Sequence, residues 1–423
     1  MGWKPPARPE WVQAINAGRI PPIAAEAARP LERDALLAEA RARLGLSDGG
    51  IADYCCAEFD ADRFLEPLDR VLAALEQEAA LTPIGRWLTR RFLLRLLEGR
   101  LHMQDYLRAD PGVVEEEIRA PIFVTGAPRT GTTILFAVLV QDRSLRPPLG
   151  WELLRPVPPP DPATAATDPR VALAEAELRM LARVDPAMDA IHEYGARQPK
   201  ECLSAMSFEF RSEEFTARHH VPSYAAWLKR CDMRPAYAWH RRVLQVLQRR
   251  TGASRWMLKS PVHLQSLATL LEVYPDARIA VTHRDPLRVL GSVTSLVANL
   301  RWVHSEKVDF AEIARYHADL YHASLDHLAA LEERGWLPPE RLHHGRYADF
   351  VANPLEAVRA LYRAFALGLA PETESRMRAA LAARPKDLHG EHRYAFEDLG
   401  LDRDTEVRRF ARYRERFRVP GEV

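Results

Sequence analysis

Disulfides, metal sites and membrane spans find little support in this 423-residue chain. It has four cysteines, Cys55, Cys56, Cys202 and Cys231, with no metal-ligand spacing, so a reducing compartment is expected rather than a disulfide framework. No apolar run approaches the roughly 20 residues of a membrane span, so no stable membrane insertion is expected. Met1 to Pro6 show no apolar signal core, and Pro6 stands where a myristoylation motif needs Ser or Thr. A cytoplasmic protein is the expectation. An excess of one charge is lacking too: 59 Lys plus Arg face 58 Asp plus Glu, a net +1, which gives no pull towards nucleic acid. The 15 histidines, among them the pairs His219-His220 and His343-His344, have no metal-binding context, and no metal is expected. There is no internal repeat.

What is present is an ordinary globular composition, 47% hydrophobic and 28% charged, long enough for one large α/β domain with an appendage, or for two domains. Residues 1–120 read as a helical N-terminal extension. Leu65, Leu68, Leu72 and Leu75 make a one-sided stripe, and a second apolar helix is expected over 84–101. The texture changes at Pro121. Residues 122–124 are a short continuous apolar run, the mark of a buried parallel strand, and 132–141 read as a helix. Eight prolines from Pro147 to Pro169 predict a loop over the surface. Further strands are expected at 255–259 and 278–283, separated by a helix over 262–273, with a weaker one at 342–346. The βαβ rhythm predicts a central parallel sheet flanked by helices, a three-layer α/β fold over 121–423.

The strongest local signal is Thr125-Gly126-Ala127-Pro128-Arg129-Thr130-Gly131-Thr132-Thr133, between a strand and a helix. Gly126 and Gly131 have the spacing that lets backbone amides curl round a phosphate, and the helix N-terminus adds partial positive charge. Thr132 stands where a nucleoside-triphosphatase loop has lysine, while Thr133 keeps the hydroxyl position. Arg129 supplies the cation, and its planar fork suits a phosphate or sulfate oxygen pair. Such a loop suits a nucleotide with one 5'-phosphate and needs no magnesium. A second constellation runs through Lys259-Ser260-Pro261 and Thr282-His283-Arg284-Asp285-Pro286 to Ser292. Arg284 at a strand end and Ser292 on the following helix can grip a second phosphate at the same sheet edge.

Both motifs in this order resemble the P-loop sulfotransferase superfamily, most of all the bacterial branch related to tyrosylprotein sulfotransferases, from about Pro121 to Tyr413. The resemblance implies a P-loop-type fold and transfer of a sulfuryl group from 3'-phosphoadenosine-5'-phosphosulfate (PAPS) to a hydroxyl or amine, leaving adenosine 3',5'-bisphosphate. It assigns the 5'-phosphosulfate to Arg129, Thr130, Gly131, Thr132 and Thr133, and the 3'-phosphate to Arg284 and Ser292. Leu296 falls where the family often has a further cation. Gly345-Arg346-Tyr347-Ala348-Asp349 and the segment His389 to Tyr394 resemble later family elements, which makes Tyr347, Arg393 and Tyr394 candidate nucleotide contacts.

The chemistry needs a base for the acceptor's proton and cations for the charge building at sulfur and on the departing phosphate. The family's Gly-x-Glu context falls on Gly150-Trp151-Glu152, which makes Glu152 the candidate base. Lys259, in the family's Lys-x-Pro pattern, is the candidate for neutralising the bridging oxygen. His263, His192 and His283 are rival bases. The acceptor class stays open among small molecules, lipids, glycans and peptides, and a homodimer stays open. Two alternatives remain: a P-loop small-molecule kinase or NTPase, against which Thr132 counts, and a non-enzymatic nucleotide-binding scaffold.

Overall fold

The computed structural model describes residues 3–46, 54, 64–191, 195–252, 255–335, 338–383 and 396–422. Helices α1 (Leu65–Gln77) and α2 (Pro83–Ala109) precede the first strand, β1 (Ile122–Thr125), which leads through the glycine loop into α3 (Thr132–Leu139). A two-residue strand, β2 (Leu145–Arg146), and α4 (Gly150–Leu154) follow. Then come β3 (Arg255–Lys259), α5 (Leu267–Val273), β4 (Arg278–His283), α6 (Pro286–His304), β5 (Leu342–Arg346), α7 (Tyr347–Ala352) and α8 (Ala411–Phe417). The strands form one sheet in the order β2-β3-β1-β4-β5, and every pairing is parallel.

Side chains alternate across this sheet and build two cores. Phe123, Trp256, Leu258, Ile279 and Val281 face one way, into a large cluster that also takes in Leu68, Leu72, Leu93 and Leu97 of α1 and α2. Ile122, Val124, Met257 and Ala280 face the other way, against Leu135, Phe136 and Leu139 of α3 and Val358, Leu361 and Phe365. With helices on both faces the strands are apolar on both sides, and all four residues of β1 are buried. The N-terminal helices therefore share one core with the sheet.

Parallel strands bring all their carboxyl ends to one edge. Register pairs Val124 with Lys259, Thr125 with Val281, and His283 with Arg346, so the glycine loop, Lys259, Arg284 and Tyr347 emerge on a common rim.

Two expectations need correction. Residues 262–273 do not form one helix: a 3-10 turn over Pro261–Gln265 precedes α5. The proline-rich stretch is not simply a surface loop, since Pro156, Pro159 and Pro160 are buried. Arg170 lies 4.7 Å over the Trp151 ring and donates to the carbonyls of Arg155 (3.1 Å) and Pro158, satisfying backbone that proline geometry keeps out of a ladder. Among the described residues no helix is long and apolar enough to cross a membrane.

Candidate active site

The glycine loop takes its shape from three left-handed residues, Gly126 (φ 137°), Arg129 (φ 68°) and Gly131 (φ 89°). A Cβ on Gly126 would lie 2.4 Å from the Thr282 carbonyl oxygen, and one on Gly131 would lie 2.8 Å from Cδ2 of Tyr347. Thr130 braces the turn from inside. Its hydroxyl donates to the Ala127 carbonyl (2.7 Å) and lies 2.5 Å from the Thr282 hydroxyl. Thr130 and Thr132 are buried, while Thr133 is exposed at the helix start. The loop thus offers an anion its backbone amides and the Thr133 hydroxyl, rather than the side chains of Thr130 and Thr132.

Lysine, absent from the loop, arrives from the neighbouring strand. Lys259 Nζ donates to Thr133 Oγ1 (3.1 Å) and pairs with Glu201 Oε1 at 2.7 Å. The ammonium is almost fully buried, where an unpaired cation would be costly, and Glu201 compensates it. Glu201 carries no motif in the sequence. It reaches the site because the Cys202 amide donates to the Lys259 carbonyl (3.0 Å), tying its segment to the end of β3.

Arg284 and Arg129 meet on the rim. Arg284 Nη1 donates to the Arg129 carbonyl (3.1 Å), and its guanidinium lies 4.0 Å over the ring of Tyr347, the same ring that abuts Gly131. Burial, and then the nearby charge of Arg284, pushes the Arg129 guanidinium below its ordinary pKa. Two cations so placed favour an anion between them. Asp285 caps α6 by accepting from the Leu287 amide (3.2 Å), and Ser292 stands half-buried in the second turn of that helix. Arg393, Tyr394 and His192 lie outside the described residues.

The structure gives Glu152 other partners. One oxygen accepts from the Leu149 amide (2.9 Å), closing the cap of α4, and the other from Arg146 Nη2 (3.1 Å). Arg146 also lies 4.5 Å over the Trp256 ring. Glu152 sits by β2, two strands from the loop, and these contacts account for its burial without a catalytic task. The rival histidines are core residues. His263 is fully buried, with Nδ1 2.9 Å from the Tyr237 hydroxyl and its ring edge-on to Phe123, and burial holds it well below the usual histidine range. His283 lies between Tyr413 (3.0 Å) and His344 (2.7 Å) and is likewise pushed down by burial. Both rings are buried and hydrogen-bonded within the core, away from an acceptor on the rim.

Comparison with known proteins gives a consistent picture. The model of the sulfotransferase family matches residues 121–371. The omega-hydroxy-beta-dihydromenaquinone-9 sulfotransferases Stf3 of Mycobacterium bovis and Mycobacterium tuberculosis are each 28% identical over 258 residues, which is 59% of this chain. The match spans 63% of the length of these curated relatives. Among solved structures, sulfotransferase STF1 from Mycobacterium tuberculosis H37Rv superposes with a TM-score of 0.76 at 32% identity, covering 90% of this chain and 98% of that one. Sulfotransferase STF9 from Mycobacterium avium gives 0.81 at 29% identity, covering 93% and 99%.

Proposed function

The chain belongs to the sulfotransferase family, and from that premise we propose that it moves the sulfuryl group of PAPS to a hydroxyl of a lipid-like acceptor. The observation that carries this reading is the contact between Arg284 and the Arg129 carbonyl. It puts the two candidate anion-binding groups on one rim, which supports a nucleotide phosphorylated at both 5' and 3' positions. Loop amides and the Thr133 hydroxyl would take the 5' group, and Arg284 with Ser292 the 3'-phosphate, beside Tyr347.

In the transfer the acceptor oxygen attacks sulfur, and the bond from sulfur to the 5'-phosphate oxygen breaks. Charge builds on that leaving oxygen, and the Lys259 ammonium beside Thr133 is the group aimed to neutralise it. The acceptor's proton passes to a carboxylate on the rim. Glu201 is the better placed, since it touches the cation that touches the loop. Glu152 fills that role only by releasing the Leu149 amide or Arg146. The lipid-like acceptor is suggested by the Stf3 relatives, whose name specifies a hydroxylated dihydromenaquinone.

Calorimetric titration tests the donor half: adenosine 3',5'-bisphosphate without metal should bind, and ATP with magnesium should bind much more weakly. The reverse order would favour a kinase or NTPase. Mass spectrometry of hydroxylated lipid libraries incubated with enzyme and PAPS tests the acceptor half, through a gain of one sulfuryl group.

A further inference from the structure

After α8 the chain crosses the carboxyl ends of β4 and β5 and ends its described course on Arg284. Helix α8 is fixed there by rings: Phe417 stacks on His283 at 4.3 Å, and the Tyr413 hydroxyl lies 3.0 Å from His283 Nδ1. Arg418 adopts φ 51° and turns the chain, the Val419 amide donates to the Arg414 carbonyl (2.9 Å), and the Val419 side chain is buried. Glu422 then lands on the rim. Both its carboxylate oxygens accept from Arg284 Nε (3.0 Å each), and Oε2 also accepts from Nη2 at 2.8 Å. The Glu422 amide donates to Asp285 Oδ2 (2.6 Å), which seats the carboxylate against the guanidinium.

We propose that Glu422 is a built-in competitor of the nucleotide's 3'-phosphate. It holds Arg284 in the nucleotide-free enzyme, yields it when PAPS binds, and takes it back as adenosine 3',5'-bisphosphate departs. The proposal rests on the reading of Arg284 as the 3'-phosphate anchor. The fork geometry supports it: Arg284 spends Nη1 on the Arg129 carbonyl and turns its Nε–Nη2 edge to Glu422. That edge is the one a phosphate oxygen pair would use, and it accommodates one bidentate partner at a time.

The exchange is physically accessible. The two side chains are 18% and 29% exposed, so the pair is partly solvated and modest in strength. A phosphate monoester carries about −1.5 to −2 charges against one for the carboxylate, and Arg129 stands close enough to share it. Glu422 lies beyond the Arg418 turn and can swing aside while α8 stays docked. Its return would hasten product release.

Calorimetry on the full chain decides the matter, with adenosine 3',5'-bisphosphate and adenosine 5'-monophosphate titrated into wild type, Glu422→Gln and Glu422→Asp. Glu422→Gln should bind the bisphosphate about two- to fivefold more tightly. It should leave the monophosphate at its wild-type affinity, and Glu422→Asp should stay close to wild type. Unchanged or weaker bisphosphate binding by Glu422→Gln overturns the proposal alone. So does an equal gain for both nucleotides, which marks a general charge effect. A wild type that does not bind the bisphosphate at all removes the donor reading, and this proposal with it.

Discussion

Two guanidiniums on one rim repel each other, and burial sharpens the repulsion until an anion joins them. Arg129 and Arg284 are neighbours of this kind, with the Glu422 carboxylate already on Arg284, and each should matter on its own. Arg129→Ala and Arg284→Ala should each weaken binding of adenosine 3',5'-bisphosphate by about 10- to 100-fold, the worth of a charge-assisted hydrogen bond at ~1.5–3 kcal/mol. Titration calorimetry reads this directly, and an unchanged affinity separates that arginine from the site. The two carboxylates should behave differently from each other. Glu152→Gln takes the carboxylate from Arg146, leaving its bonds to the Leu247 carbonyl and Thr251, and weakens the α4 cap, so its melting temperature should fall by a few degrees, an effect of ~1–3 kcal/mol. Glu201→Gln leaves the buried Lys259 ammonium without its carboxylate, so its melting temperature should fall as well, and unlike Glu152→Gln it should also lose most of its PAPS turnover. Loss of turnover in Glu152→Gln with no loss of stability would return the base to Glu152.

At the scale of elements, the strand, glycine loop and helix over 122–139 were readable because hydrophobic run, glycine spacing and helix start are all local signals. Strands 255–259, 278–283 and 342–346 were readable for the same reason. The two-residue β2 was not, because so short a strand exists only through its pairing with β3. The loop's geometry yields a sharp test. Gly131→Ala must place a Cβ 2.8 Å from the Tyr347 ring at φ 89°. It should push Tyr347 off Arg284 and weaken bisphosphate binding at least tenfold, a shift of ~1.4 kcal/mol, with the circular dichroism spectrum unchanged. Wild-type affinity in this variant would show that the loop does not carry the nucleotide.

Across the whole molecule, buried histidines should set the response to acid. His240 and His304 are held near 3, and His317 and His343 near 4, in each case chiefly by burial. His219, His263 and His283 are pushed well below their ordinary value for the same reason. Folded pKa values are depressed, so below about 6.5 the unfolded chain takes up protons that the native state refuses. Stability is therefore lost as pH falls from 6.5 towards 4, by about 1.4 kcal/mol per histidine per pH unit at most. Glu213, raised to about 7, Asp185, raised to about 6, and Glu98, also raised by burial, pull the other way, but the depressed histidines outnumber them. Thermal melts should show a steep drop in melting temperature between pH 6.5 and pH 4.5. A flat profile there would show that these rings are solvated.

The sequence by itself determined the parallel α/β plan, the glycine loop, and the two arginines and one lysine that carry charge, because each is written in residues close together along the chain. Tertiary structure alone decided what those charges touch. Glu201 meets Lys259 across 58 positions and Glu422 meets Arg284 across 138, and neither has a local pattern to announce it. It also turned Glu152 towards a cap and His263 towards the core. Burial and pairing depend on which strands lie side by side, and the sheet order supplies that adjacency.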